Sequence, residues 1–133
     1  MSVSIEDAIK APRFSLEGFK SHGIVTSVYD GDSIHVVFPF HETMYKWVCR
    51  LYGVDTPEIR TKNKQERILG IQVRDALRNK ILHKQVDVVC GKFDKYGRLL
   101  VTILIDNENI NEWLITNDYG YEYFGGSKRK IWG

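Results

Sequence analysis

The chain is 133 residues long, 43% hydrophobic and 12% aromatic, and its 19 basic and 17 acidic side chains leave a net charge of +2. Such a length suits one domain that buries a core without staples, and such a composition excludes a disordered chain. No apolar run reaches the length of a membrane span, and residues 1–13 are too polar to hold the apolar stretch of a secretory signal. The expectation is a protein without membrane association that works inside a cell, unless a signal has been removed.

The small net charge conceals an uneven distribution. Residues 1–59 carry 5 basic and 8 acidic side chains, residues 60–98 carry 11 and 4, and residues 99–133 carry 3 and 5. An acidic first stretch followed by a basic middle suits a polyanion held against a cation site. A helix with a solvated lysine and arginine face accounts for many such runs. Cys49 and Cys90 both lie in strand-like runs and fit core thiols better than a disulfide or a zinc site. His22, His35, His41 and His83 are scattered without the spacing of metal ligands.

Residues 1–22 read as an N-terminal appendage, a short helix over 5–10 followed by Pro12 and mixed polar residues. At Gly23 the pattern turns to β. The β-branched run 24–29 predicts a first strand, Asp30-Gly31 a hairpin turn, and 32–38 a returning second strand with Asp32 at its mouth. Residues 39–43 read as a loop, 45–52 as a third strand, and 59–64 as a polar, basic loop. Over 65–82, Leu69, Val73, Ala76, Leu77 and Ile81 recur at helical spacing opposite Arg67, Arg74, Asp75, Arg78 and Lys80. Gly70 weakens the first turn of that helix, which places the start at or beyond it.

Residues 86–90 predict a fourth strand, Asp94-Lys95-Tyr96-Gly97-Arg98 a turn, and 99–105 a fifth strand. After a turn at Asp106-Asn107, a helix is expected over 110–117, capped by Asn107 or Asn109 and burying Ile110, Trp113 and Leu114. Tyr119, Tyr121, Tyr123 and Phe124 follow, and Lys128-Arg129-Lys130 makes residues 125–133 a basic tail. Five short strands with a helix after the third and another after the fifth predict an α+β, mainly β fold. Its expected form is a five-stranded OB-fold Greek-key barrel with two or three helices. The domain is placed at 23–124.

The chemistry concentrates in Arg50-Leu51-Tyr52-Gly53-Val54-Asp55-Thr56-Pro57-Glu58. Trp47, Cys49 and Leu51 alternate with Arg50 and Tyr52, so a strand ends here, and Pro57 holds Thr56 out of the helical region. The bend presents one guanidinium and two carboxylates. One carboxylate can bind a metal, a second can handle a proton, and the arginine can grip a phosphate. A solvated turn with a surface ion pair accounts for the nonapeptide taken alone.

Asp30-Gly31-Asp32, Arg50 with Asp55-Thr56-Pro57-Glu58, and Asp94-Lys95-Tyr96-Gly97-Arg98, in that order on this strand pattern, resemble the staphylococcal nuclease family. Asn111-Glu112 also matches the family's pattern, and the resemblance runs from about residue 23 to about residue 120. It implies that Asp32 and Asp55, with the backbone carbonyl of Thr56, bind Ca2+, other divalent ions being possible. It further implies that Glu58 acts on the attacking water, that Arg50 and Arg98 hold the scissile phosphate, and that Tyr96 contacts a neighbouring phosphate. The implied activity is sugar-non-specific hydrolysis of DNA and RNA to leave 3′-phosphate ends. Single-stranded DNA and RNA are the expected substrates, with duplex DNA a further one, and the protein is expected to be a monomer.

The alternative is a non-catalytic nuclease-like module that binds nucleic acid or protein. Such modules usually lack the catalytic residues, whereas Asp32, Arg50, Asp55, Glu58 and Arg98 are all present. Asp30 and Asn111 read as structural. Tyr123 or Phe124 falls near a base-stacking aromatic of the family, and stacking suits non-specific binding of single strands, but closing the barrel is the favoured reading of these aromatics.

Overall fold

Inward residues on five strands dictate how the chain closes. The computed structural model describes residues 2–126. A short helix, α1 (Ile5–Lys10), precedes three antiparallel strands: β1 (Lys20–Val28), β2 (Ser33–Phe40) and β3 (Thr43–Leu51). A two-residue strand β4 (Val54–Asp55) leads to α2 (Lys64–Ile81), then to β5 (Gln85–Phe93) and β6 (Leu99–Ile105). β7 (Glu108–Asn109), α3 (Ile110–Thr116) and β8 (Tyr121–Glu122) follow.

Along β2 the buried residues are Ile34, Val36 and Phe38; along β5 and β6 they are Val86, Val88, Cys90, Leu99, Val101 and Ile103. That is the period of two expected when one face is buried. In β1 the buried pair is Val25 and Val28, three apart, because a bulge between Val25 and Ser27 shifts the register. The sheet runs β3-β2-β1-β5-β6 and closes on itself through a parallel β3–β6 pairing. This is the five-stranded OB-fold barrel of an α+β protein, mainly β, with three helices. Val73, Leu77 and Ile81 of α2 and Ile110 and Leu114 of α3 join the core.

Several boundaries differ from the sequence expectation. β1 starts at Lys20 rather than near residue 23, and Leu16 is already in the core, with the Gly18 N–H donating to the Cys90 carbonyl at 2.8 Å. β2 and β3 pair out to Phe40–Thr43, leaving only His41 and Glu42, at φ of 48° and 67°, as the turn. Pro39 lies beyond β1's last partner on β2, at a flank that tolerates its missing N–H.

α2 begins at Lys64 with Asn63 as its cap, well before Gly70. Its buried row is Gly70, Val73, Leu77 and Ile81, while Leu69 is 38% exposed. Glycine is at that place because a Cβ there would lie 2.9 Å from the Pro57 carbonyl and 3.1 Å from the Glu58 carbonyl carbon.

Asn109 is the cap of α3, accepting from the Glu112 N–H at 3.1 Å. Burial pushes the thiols of Cys49 and Cys90 up to about 12 and about 11, as fits two free core cysteines. No helix among the described residues is long and apolar enough to cross a membrane. The Lys128-Arg129-Lys130 stretch lies outside the described residues.

Candidate active site

Strand register assembles the site. Ser33 pairs with Arg50 across β2 and β3, and the Leu51 N–H donates to the Asp32 carbonyl at 2.8 Å, which puts Asp32 beside the arginine. The closing β3–β6 pairing matches Arg50 with Leu100, so Arg98, two residues back, shares that face. β4 pairs with β8, matching Asp55 with Tyr121. Thr56, Pro57 and Glu58 follow Asp55 directly, and the backbone of Pro57 and Glu58 lies against Gly70 of α2.

Asp32, Arg50, Asp55, Thr56, Glu58, Tyr96 and Arg98 all line one cleft of about 640 Å³. The residues expected to meet the cation, the water and the phosphates therefore all line the same hollow. The Arg50 Nη2 sits 3.4 Å from Asp32 Oδ2 and 3.5 Å from Asp55 Oδ1, between carboxylates that are nearly buried. The Thr56 N–H faces Asp32 Oδ2 at 3.4 Å. These are long contacts, which leaves the Asp32 carboxylate weakly neutralised. Burial pushes the Asp32 carboxyl up to about 7, the charge of Asp30 adds to the rise, and Arg50 opposes it.

Whether a cation fits turns on this donor set. Two carboxylates and a carbonyl are hard oxygen donors of the kind calcium and magnesium accept. Thr56 Oγ1 is buried there with no hydrogen-bond partner among the described residues. No group of three or more His, Cys, Asp or Glu gathers for a metal among the described residues, so the protein's share is sparse. A site of this kind leaves room for water and a phosphate oxygen, and the residues fit a loosely held divalent ion.

Neighbours given no role with the cation or the phosphate in the sequence hold these groups. Asp30 Oδ1 accepts from the N–H groups of Asp32 at 3.1 Å and Ser33 at 2.9 Å, the structural role expected of it. Gly31 is there for space: a Cβ would lie 2.6 Å from Thr56 Oγ1 and 2.5 Å from Val73 Cγ1. The Tyr121 hydroxyl donates to Asp55 Oδ2 at 2.9 Å, and the sequence marked it only as one of an aromatic run. Asp94, read as part of a turn, accepts from Arg98 Nε at 2.8 Å.

Asn111, buried, donates to the Tyr52 and Val101 carbonyls at 2.8 and 2.9 Å and accepts from the Ile103 N–H at 3.1 Å. It fastens α3 to the closure of the barrel. Phe124, expected to close the barrel, is 65% exposed and meets Tyr52 edge-on at 5.4 Å.

Residues 48–130 match the family model described as staphylococcal nuclease homologue, more than half of the chain. The chain belongs to the staphylococcal nuclease family. Among its relatives is an uncharacterized protein of Methanocaldococcus jannaschii, 31% identical over 82% of this chain and 62% of the relative. The probable endonuclease LCL3 of Yarrowia lipolytica is 29% identical over 87% of this chain and 62% of its own length. A probable endonuclease of Schizosaccharomyces pombe is 30% identical over 61% of this chain and 43% of its own. The chain thus spans about half the length of the curated relatives it matches.

Proposed function

We propose that the chain is a calcium-dependent, sugar-non-specific nuclease that hydrolyses phosphodiester bonds of DNA and RNA and leaves 3′-phosphate ends. The observation that carries this reading is the convergence of Asp32, Arg50, Asp55, Glu58 and Arg98 on one cleft. Probable endonucleases among the relatives support it.

Asp32, Asp55 and the Thr56 carbonyl would hold the cation, which when bound supplies Lewis-acid polarisation of the phosphate. Arg50 and Arg98 grip the non-bridging oxygens, over which the transition state spreads its charge, and guanidinium forks match that geometry. Glu58, exposed at the cleft, takes or orients the proton of the attacking water. The water oxygen bonds to phosphorus and the bond to the 5′ oxygen breaks, so the phosphate stays on the 3′ side. Tyr96 is 72% exposed at the cleft edge, where it contacts a neighbouring phosphate. Single-stranded DNA and RNA are the substrates, with duplex DNA a further one, and the protein acts as a monomer.

Digestion of denatured DNA with calcium, with chelator, and by Glu58→Gln, with mapping of the product ends, tests the reading. Glu58→Gln should bind the substrate as the wild type does while kcat falls by about two to four orders of magnitude. Full activity in chelator, or an undiminished Glu58→Gln, would sink it.

A further inference from the structure

Tyr29 has no part in the roles assigned above, yet it lines the same cleft. That cleft shares Arg50, Tyr96 and Arg98 with an adjoining hollow of about 550 Å³ walled by Tyr52 and Phe124. The two hollows form one groove with the paired arginines at its middle. Tyr52 and Phe124 stand at one end, and Tyr29, Ile59 and Arg60 at the other.

Tyr29 is 57% exposed, so core burial does not account for it. It is nonetheless held in place. Its N–H donates to the Ser33 carbonyl at 2.9 Å, and the ring meets His35 at 5.0 Å between centroids and 71° between planes. The turn that fixes Tyr29 is the one in which Asp30 seats Asp32. An edge-to-face brace engages at most one face of the tyrosine and leaves a face for another flat ring. Arg60, also exposed, lies at the same end of the groove and matches a phosphate.

We propose that Tyr29 stacks on the base of the nucleotide flanking the cleaved bond on the side away from Tyr52 and Phe124, with Arg60 meeting that nucleotide's phosphate. The proposal rests on the nuclease reading and narrows its substrate. A base inside a duplex is already stacked on its neighbours, so Tyr29 acts on a strand unpaired at the cut. Base–aromatic stacking is tolerant of sequence because every base has a flat face.

The test uses a short single-stranded DNA carrying one abasic residue at successive positions, with kcat/KM measured for wild type, Tyr29→Leu and Tyr29→Phe in calcium. In the wild type, an abasic residue on the Tyr29 side of the cut should lower kcat/KM at least about fivefold, the lower end for one stacked base. Tyr29→Leu should lose the same factor on the intact strand and become insensitive to the abasic residue on that side. Tyr29→Phe should keep the wild-type pattern, and both variants should melt within a degree or so of the wild type, since surface changes cost little stability.

An active wild type whose abasic profile Tyr29→Leu leaves unaltered overturns the proposal and leaves the nuclease reading standing. A wild type that cleaves nothing with calcium, magnesium or manganese overturns the nuclease reading, and this subsite with it.

Discussion

Arg98 shows how a single side chain divides its work. Asp94 accepts its Nε at 2.8 Å and also holds the backbone N–H groups of Tyr96 and Arg98, each at 2.9 Å. One edge of the guanidinium is thereby fixed to the protein, and the terminal nitrogens remain to meet a phosphate. A lysine has one nitrogen, which can pair with Asp94 or reach the phosphate but cannot present a fork to both. Arg98→Lys should therefore lower kcat/KM by about two to three orders of magnitude, the range for losing one transition-state donor. The steady-state comparison with wild type checks it, and wild-type kinetics would show that charge alone suffices. At this scale the residue types were legible, since arginines and carboxylates announce themselves. Their supports were not, because a carboxylate that orients a partner, such as Asp94, looks in sequence like any turn aspartate.

Elements place what residues perform, and α2 does so through the residue that has no side chain. Periodicity identified the helix and Val73, Leu77 and Ile81 on its inner row, but it passed over Gly70, because a pattern of apolar side chains cannot register a buried backbone. The helix comes close enough there to support the Pro57–Glu58 backbone. Alanine in a helix interior is favoured over glycine by about 1 kcal/mol. Against that, a Cβ at 2.9 Å from the Pro57 carbonyl meets backbone, which cannot rotate aside. Overpacking of this kind costs about 1–3 kcal/mol, so the gain is cancelled or reversed. Relief comes by moving the turn that carries Glu58, and a displacement of about 1 Å can cost about a hundredfold in rate. Gly70→Ala should thus leave the urea midpoint unchanged or lower it while lowering kcat by about one to two orders of magnitude, on the order allowed by such displacement. A variant with wild-type kcat would mean that the turn has slack.

At the scale of the whole molecule, runs of apolar residues made the succession of strands and a five-stranded barrel legible, whereas the pairing that closes the barrel was not. Nothing local in the chain states that β3 lies parallel to β6, and that pairing is what sets Arg50 and Arg98 on one face. The barrel also draws Asp32, just ahead of β2, and Asp55, in β4, into one cleft, at 8% and 3% exposure. Burial and the charges of Asp30 and Asp55 act against the Asp32 carboxylate and Arg50 opposes them, so the fold holds Asp32 at a cost. A cation that binds the folded chain and not the unfolded one should reverse this. At about ten times its dissociation constant the gain is about 1.4 kcal/mol, which raises the melting temperature by roughly 3–8 °C for a domain of this size. Asp32→Asn removes one of the opposed charges. In chelator it should melt above the wild type, and calcium should no longer raise its melting temperature. The same scans with magnesium and manganese rank the ions. A calcium shift that survives Asp32→Asn would place the ion elsewhere, and a variant that melts lower in chelator would mean that the Arg50 contact outweighs the repulsion.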